Sequence, residues 1–143
     1  MEFSGVTKIL GGEKVLRQKV RSRMDLIELS NKGVTKDALR HLAKFLSFTI
    51  RQMATLLPVT ERTIQRYATT KHFNRVISEQ ILQIAEVAAK GAEVFDDKDK
   101  FLSWMNHPCK ALANKTPLSL LNSRFGAEMV LDELGRLEHG VFA

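Results

Sequence analysis

Thr49-Ile-Arg-Gln-Met-Ala-Thr-Leu-Leu-Pro-Val-Thr-Glu-Arg-Thr-Ile-Gln-Arg-Tyr67 reads as two short helices joined by a tight turn. Thr49 and Gln52 have the spacing of a capping box, in which each side chain satisfies a backbone donor at a helix start. Met53, Ala54, Leu56 and Leu57 form the apolar side of that helix. Pro58 biases Leu57 away from the α region and ends it, and Thr60 is placed to cap the next. At about 100° per residue, Ile64, Tyr67 and Ala68 share one side of the second helix and Arg62, Gln65, Arg66 and Thr69 the other. A helix that buries Ile64 therefore presents two guanidinium groups and an amide together. These are the donors that read guanine and adenine edges in the major groove. The pattern predicts a helix-turn-helix. An ordinary solvated helix surface offers the same residues, so periodicity alone leaves both readings open.

Charge distribution favours the first. The net charge is +6, unevenly spread. Residues 1–30 hold six Lys/Arg against four Asp/Glu, net +2, and residues 31–75 hold nine against two, net +7. Residues 76–143 hold seven against ten, net −3. The excess thus sits on the helix-turn-helix half, where a phosphate backbone attracts it by counterion release. The acidic rear half calls for a different partner.

A chain of 143 residues suffices for one compact unit or two small lobes. No apolar run exceeds three residues, which excludes a membrane-spanning helix or the apolar core of a secretion signal. The single cysteine, Cys109, fits a reducing cytosol, and the expected location is the bacterial cytoplasm.

Strand signals are weak throughout, with no Asn-Gly or Asp-Gly hairpin turn. Residues 1–12, broken by Gly11-Gly12, predict a mobile or loosely packed arm. A short basic helix over 13–21 and another from Met24 to Ser30, stopped near Gly33, follow. Thr35 starts a helix to about Leu46, with Ala38, Leu39, Leu42 and Leu46 as its stripe. Asn74 caps a long helix to about Phe95, whose stripe is Ile77, Ile81, Ile84, Ala88, Ala92 and Phe95. The acidic cluster at 96–99 suits the next helix start, and Trp104 is placed in its core. Thr116-Pro117 is a cap followed by proline at a first helical position. Ser123 caps the last helix, with Ala127, Val130, Leu131, Leu134 and Leu137 inward and Met129, Asp132, Glu133 and Arg136 outward.

Trp104-x-x-x-Pro108-x-x-Ala111-Leu112, Thr116-Pro117-Leu118-x-Leu120-Leu121, Gly126-Ala127 and the run from Gly135 to Ala143 resemble the toxin-binding domain of the Xre/MbcA/ParS antitoxins. The likeness extends back through the helix-turn-helix to about Asp25, and its C-terminal motif is the specific part. It implies a bacterial type II antitoxin, acting as a homodimer. Such a chain binds its own operator and neutralises a RES-domain toxin, a family associated with NAD⁺ degradation. Two departures stand out: Ala113-Asn114 replaces a common Gly-Gly, and Pro58 replaces the usual turn glycine.

The expected architecture is all-α: an arm (1–22), a helix-turn-helix domain (23–73), a connecting helix (74–96) and a toxin-binding lobe (97–143). Arg62, Gln65 and Arg66 are the candidates for base edges. Thr49, Arg51, Thr60, Thr63 and Lys71 are the candidates for phosphates. The resemblance places toxin contacts at Arg136, Glu138, His139, Gly140, Val141, Phe142 and Ala143. Phe142 supplies an apolar anchor there, and the bland alternative folds Val141-Phe142 onto the protein's own core. His41, His72, His107 and His139 lack metal-ligand spacing, and no phosphate loop or nucleophile elbow appears. No catalytic residue, cofactor or metal is therefore assigned. Two other readings stay open: a transcription regulator whose C-terminal lobe only dimerises, and an adaptor that binds protein alone.

Overall fold

Asn74 starts the longest helix of the molecule, its Oδ1 accepting the Ile77 N–H at 2.9 Å. The structure, a computed structural model, describes residues 3–140. These residues form nine α-helices and no strand. They are α1 (Ser4–Ile9), α2 (Glu13–Leu16), α3 (Arg23–Lys32), α4 (Lys36–Leu46), α5 (Ile50–Ala54), α6 (Glu61–Arg66), α7 (Arg75–Phe95), α8 (Lys98–Met105) and α9 (Arg124–Gly140). Val141, Phe142 and Ala143, assigned to the toxin face, lie outside the described residues.

Of the stripe expected on α7, Ile77, Ile81, Ile84 and Ala88 are buried, but so are Leu82, Ala85, Val87, Ala89 and Gly91. The reason is that α1, α3, α8 and α9 all pack against it. It is a shared spine, and the buried apolar side chains of the front and rear helices form one cluster around it. Trp104 is half-buried, its ring 5.6 Å from that of Phe95 at the end of the spine.

Capping set the other boundaries as the side chains dictate. Thr35 accepts from Ala38 N–H, Thr60 from Thr63 N–H and Asp97 from Lys100 N–H. Thr49 and Gln52 form the full reciprocal box. Each cap contributes about 1 kcal/mol. Gly33 closes α3 at φ 97°, with its α-carbon so near Phe73 O that a methyl there would sit 2.4 Å away.

Several expectations are corrected. The N-terminal segment is not a loose arm from Phe3 onward: α1 lies on α7 and α4, burying Val6, Ile9 and Leu10. Six helical residues span too few turns to display a period, and the surface they bury against is distant in sequence. The basic helix over 13–21 shrinks to Glu13–Leu16, because Arg17 turns left-handed at φ 62°. Glu133, placed outward on the wheel, is buried against the body of the protein. Ala113 and Asn114 both take the left-handed conformation, at φ 59° and 63°. Both lie in the region that favours glycine, at a steric cost carried by Ala113. Ala113→Gly is expected to raise stability by roughly 0.5–1 kcal/mol, the relief exceeding the extra unfolded-state entropy of glycine. A higher urea midpoint at unchanged slope is the readout; a lower midpoint would show the alanine to be unstrained.

Candidate functional site

The helix-turn-helix face is built around Ile64, which is fully buried. That burial turns Arg62, Gln65 and Arg66 outward, and all three are exposed. Behind them Tyr67 stacks on Phe73 with ring centroids 5.1 Å apart. Lys36 closes the carbonyl end of the short helix: its Nζ donates to Tyr67 O at 2.9 Å and Gln65 O at 3.4 Å. A cation at the negative end of a helix is the favourable arrangement. Thr60 Oγ1 accepts the Thr63 N–H and donates to Thr63 Oγ1 at 3.0 Å, so both hydroxyls mark the start of α6. Thr49 marks the start of α5. Lys71 is exposed, its Nζ 5.5 Å from the centre of the Tyr67 ring.

Glu61 ties the two helices together. Its Oε1 lies 3.4 Å from Arg51 Nε, and its Oε2 accepts from Gln65 Nε2 at 3.4 Å. Arg51 and Gln65 are thereby held before any ligand arrives. Arg62 and Arg66 have no carboxylate within ion-pair reach among the described residues. The base candidates are thus exposed together on α6, with Arg51 of α5 joined to them through Glu61, while Thr63 is half-buried.

The rear-lobe candidates are arranged differently. Arg136 forks onto Glu133, with Nε–Oε1 2.8 Å and Nη2–Oε2 2.5 Å. Glu138 accepts from Lys90 of α7 at 2.6 Å, which holds its carboxyl below the usual carboxylate range. His139 is exposed, its Nε2 3.1 Å from Glu138. Arg136, His139 and Gly140, at i, i+3 and i+4, share one side of the last turns. Glu138 instead fastens α9 to the spine.

Between α3, α7 and α9 runs a cleft of about 760 Å³, lined among others by Glu86, Lys90, Glu128 and Asp132. Glu86 is buried, and its Oε2 has no hydrogen-bond partner; Arg23 Nη1 stands 3.8 Å off. Burial raises this carboxyl above its ordinary 4.5, and the Arg23 charge offsets part of the rise. The unfolded chain therefore ionises at this position before the folded one. The contribution of Glu86 to stability is fully present below the ordinary value of 4.5 and is lost as pH climbs through the raised one. Glu86→Gln is expected to flatten that decline, so the difference in urea midpoint between variant and wild type grows from about pH 4 to neutrality. Parallel pH profiles would contradict it.

Sequence reasoning missed Lys36 and Glu86, whose partners are met only in the fold, and the burial of Glu133, whose i,i+3 spacing from Arg136 was a signal for their pairing. Glu61 had a signal, its i,i+4 spacing from Gln65. Among the described residues no helix is long and apolar enough to cross a membrane, and no three His, Cys, Asp or Glu side chains gather as a metal site.

Comparison with known proteins agrees with this two-part layout. Residues 90–140 match the antitoxin Xre/MbcA/ParS C-terminal toxin-binding domain. Residues 25–86 match the antitoxin Xre-like helix-turn-helix domain. Antitoxin Xre of Yersinia enterocolitica is 31% identical over 120 residues, covering 82% of this chain and 81% of that protein. The chain belongs to the Xre antitoxin family. A second antitoxin Xre, from Photorhabdus laumondii, is 37% identical over 65 residues, 45% of this chain and 44% of its own length. The Xre fold seen here also aligns with a chain of the M. tuberculosis MbcT-MbcA toxin-antitoxin complex. That alignment has a TM-score of 0.58 at 20% identity and covers 87% of this chain and all of the other. It establishes a shared all-α fold.

Proposed function

We propose that this antitoxin neutralises a RES-domain, NAD⁺-degrading toxin through its C-terminal lobe and, as a homodimer, represses its own operon through the helix-turn-helix. The observation that carries the reading is the pairing, in one chain, of a toxin-binding domain match at 90–140 with an exposed Arg62/Gln65/Arg66 face whose arginines meet no carboxylate among the described residues. Arg62, Gln65 and Arg66 read base edges. Thr49, Arg51, Thr60, Thr63 and Lys71 hold the flanking phosphates. A dimer places two such helices on half-sites about one helical turn apart. The toxin face is the end of α9, with Arg136, Glu138, His139 and Gly140 continuing into Val141, Phe142 and Ala143. Phe142 is its apolar anchor.

Coexpression with the protein encoded beside it tests the reading. The expected result is a copurifying complex, restored growth and preserved cellular NAD⁺. A chain that shifts its promoter DNA but restores no growth supports instead a regulator whose rear lobe only dimerises. A chain that holds the toxin but shifts no DNA removes the repressor half.

A further inference from the structure

Several cations of this molecule are already paired: Arg75, Lys90, Arg124 and Arg136 each face a carboxylate within 4 Å. Lys14, Arg17 and Lys32 face none among the described residues, yet the fold brings them around one cleft of about 540 Å³. Glu13, the one carboxylate on α2, is already engaged by Lys19 at 3.5 Å. Asp37, the carboxylate in the cleft lining, is turned toward His41 Nδ1 at 3.7 Å.

The far wall of the cleft is the segment leaving α6. Asp37 N–H donates to Thr69 O at 2.9 Å and Lys36 N–H to Lys71 O at 3.1 Å, which lays residues 69–71 along the start of α4. Thr69 and Thr70, three and four positions beyond Arg66, line the cleft and are exposed. On the near wall, Gly11 and Gly12 turn the chain at φ 104° and 89°, setting α2 against α4. Buried Thr7 then accepts the Val20 N–H at 3.0 Å and anchors the return. Arg17 is held left-handed at the end of α2, a conformation that costs a non-glycine residue free energy. Mutual repulsion of three cations around a cleft is a further cost that an anion would relieve.

We infer that α2 and the end of α3 form a phosphate-binding flank that lengthens the duplex footprint beyond the helix-turn-helix. Lys14, Arg17 and Lys32 donate to phosphodiester oxygens, with the Thr69 and Thr70 hydroxyls on the opposite wall. The partner is the DNA backbone next to the bases read by Arg66, so the contact is independent of sequence. The inference rests on the operator-binding reading above.

The test is a fluorescence anisotropy titration of the full chain between about 50 and 200 mM salt, where each phosphate contact contributes about 0.9 to the slope of log affinity against log salt. The probes are an operator duplex, a scrambled duplex and an operator trimmed to the base-read segment. In the Lys14→Ala/Arg17→Ala/Lys32→Ala variant the slope is expected to fall by about two to three. Affinity for the operator and scrambled duplexes should drop together, about tenfold or more at the upper salt, with the preference between them kept. On the trimmed operator, variant and wild type should bind alike. Arg17→Gly serves as the folding control, because glycine accepts φ 62°. It should lose about one unit of slope while melting no lower than wild type. A wild-type chain that binds duplex and a variant with the same slope overturn this flank alone. A wild-type chain that binds no duplex overturns the operator reading and the flank with it.

Discussion

Gly126→Ala should destabilise the rear lobe by about 3 kcal/mol or more and abolish toxin neutralisation. A β-carbon at Gly126 would stand 1.9 Å from Leu120 O and 2.8 Å from Leu120 C, both backbone atoms. No rotamer change relieves such a clash. The Leu118–Leu120 turn cannot retreat either, because Gln80 on the spine donates to Leu121 O and Thr116 Oγ1 accepts the Ser119 N–H. Relief requires lifting α9 away from the turn, and α9 carries Ala127, Val130 and Leu134 into the core. Gly135 in the same helix is the control, since a β-carbon there meets nothing within 4 Å. Gly135→Ala should stabilise by up to about 1 kcal/mol through helix propensity. Thermal melts of the two variants decide the matter. Equal melting points would show that the contact at Gly126 is not what holds the lobe.

Arg66→Ala is expected to cost about 1–3 kcal/mol of operator affinity and to relax preference at one base pair if it is bidentate to guanine. Replacing Arg62, Gln65 and Arg66 together should remove specific binding. All three are exposed and pack against nothing in the core, so the fold should survive. Gel shifts on the operator and on single base-pair variants measure both effects. Unchanged affinity with unchanged preference would remove these side chains from base recognition.

Much of this was legible in the sequence because it is local. Thr35, Thr49, Thr60 and Asn74 cap helices through backbone groups three residues away, so they located four helix starts; the acidic cluster at 96–99 marked a fifth by its charge, and Asp97 is its cap. Burial of Ile64, and with it the outward turn of Arg62, Gln65 and Arg66, followed from helical period. What stayed hidden depends on distant partners. Helix α1 is too short to show a period and owes its order to α7. Glu133 looked exposed because a helical wheel cannot show which parts of the fold cover that side of α9. Glu86 sits on a face the stripe of α7 left polar, yet α3 and α9 cover it. The left-handed turn at Ala113, which alanine itself disfavours, is closed by Cys109 N–H donating to Lys115 O and Asn114 N–H to Cys109 O.

The central claim is that two surfaces of one helical body, packed around a shared core, serve two partners independently. The most direct measurement is toxin rescue by the full-length Arg62→Ala/Gln65→Ala/Arg66→Ala chain, coexpressed with the toxin encoded beside it. Growth should recover as with wild type and the complex should copurify, while the operator gel shift disappears. Loss of rescue in a variant that still melts like wild type would contradict the claim.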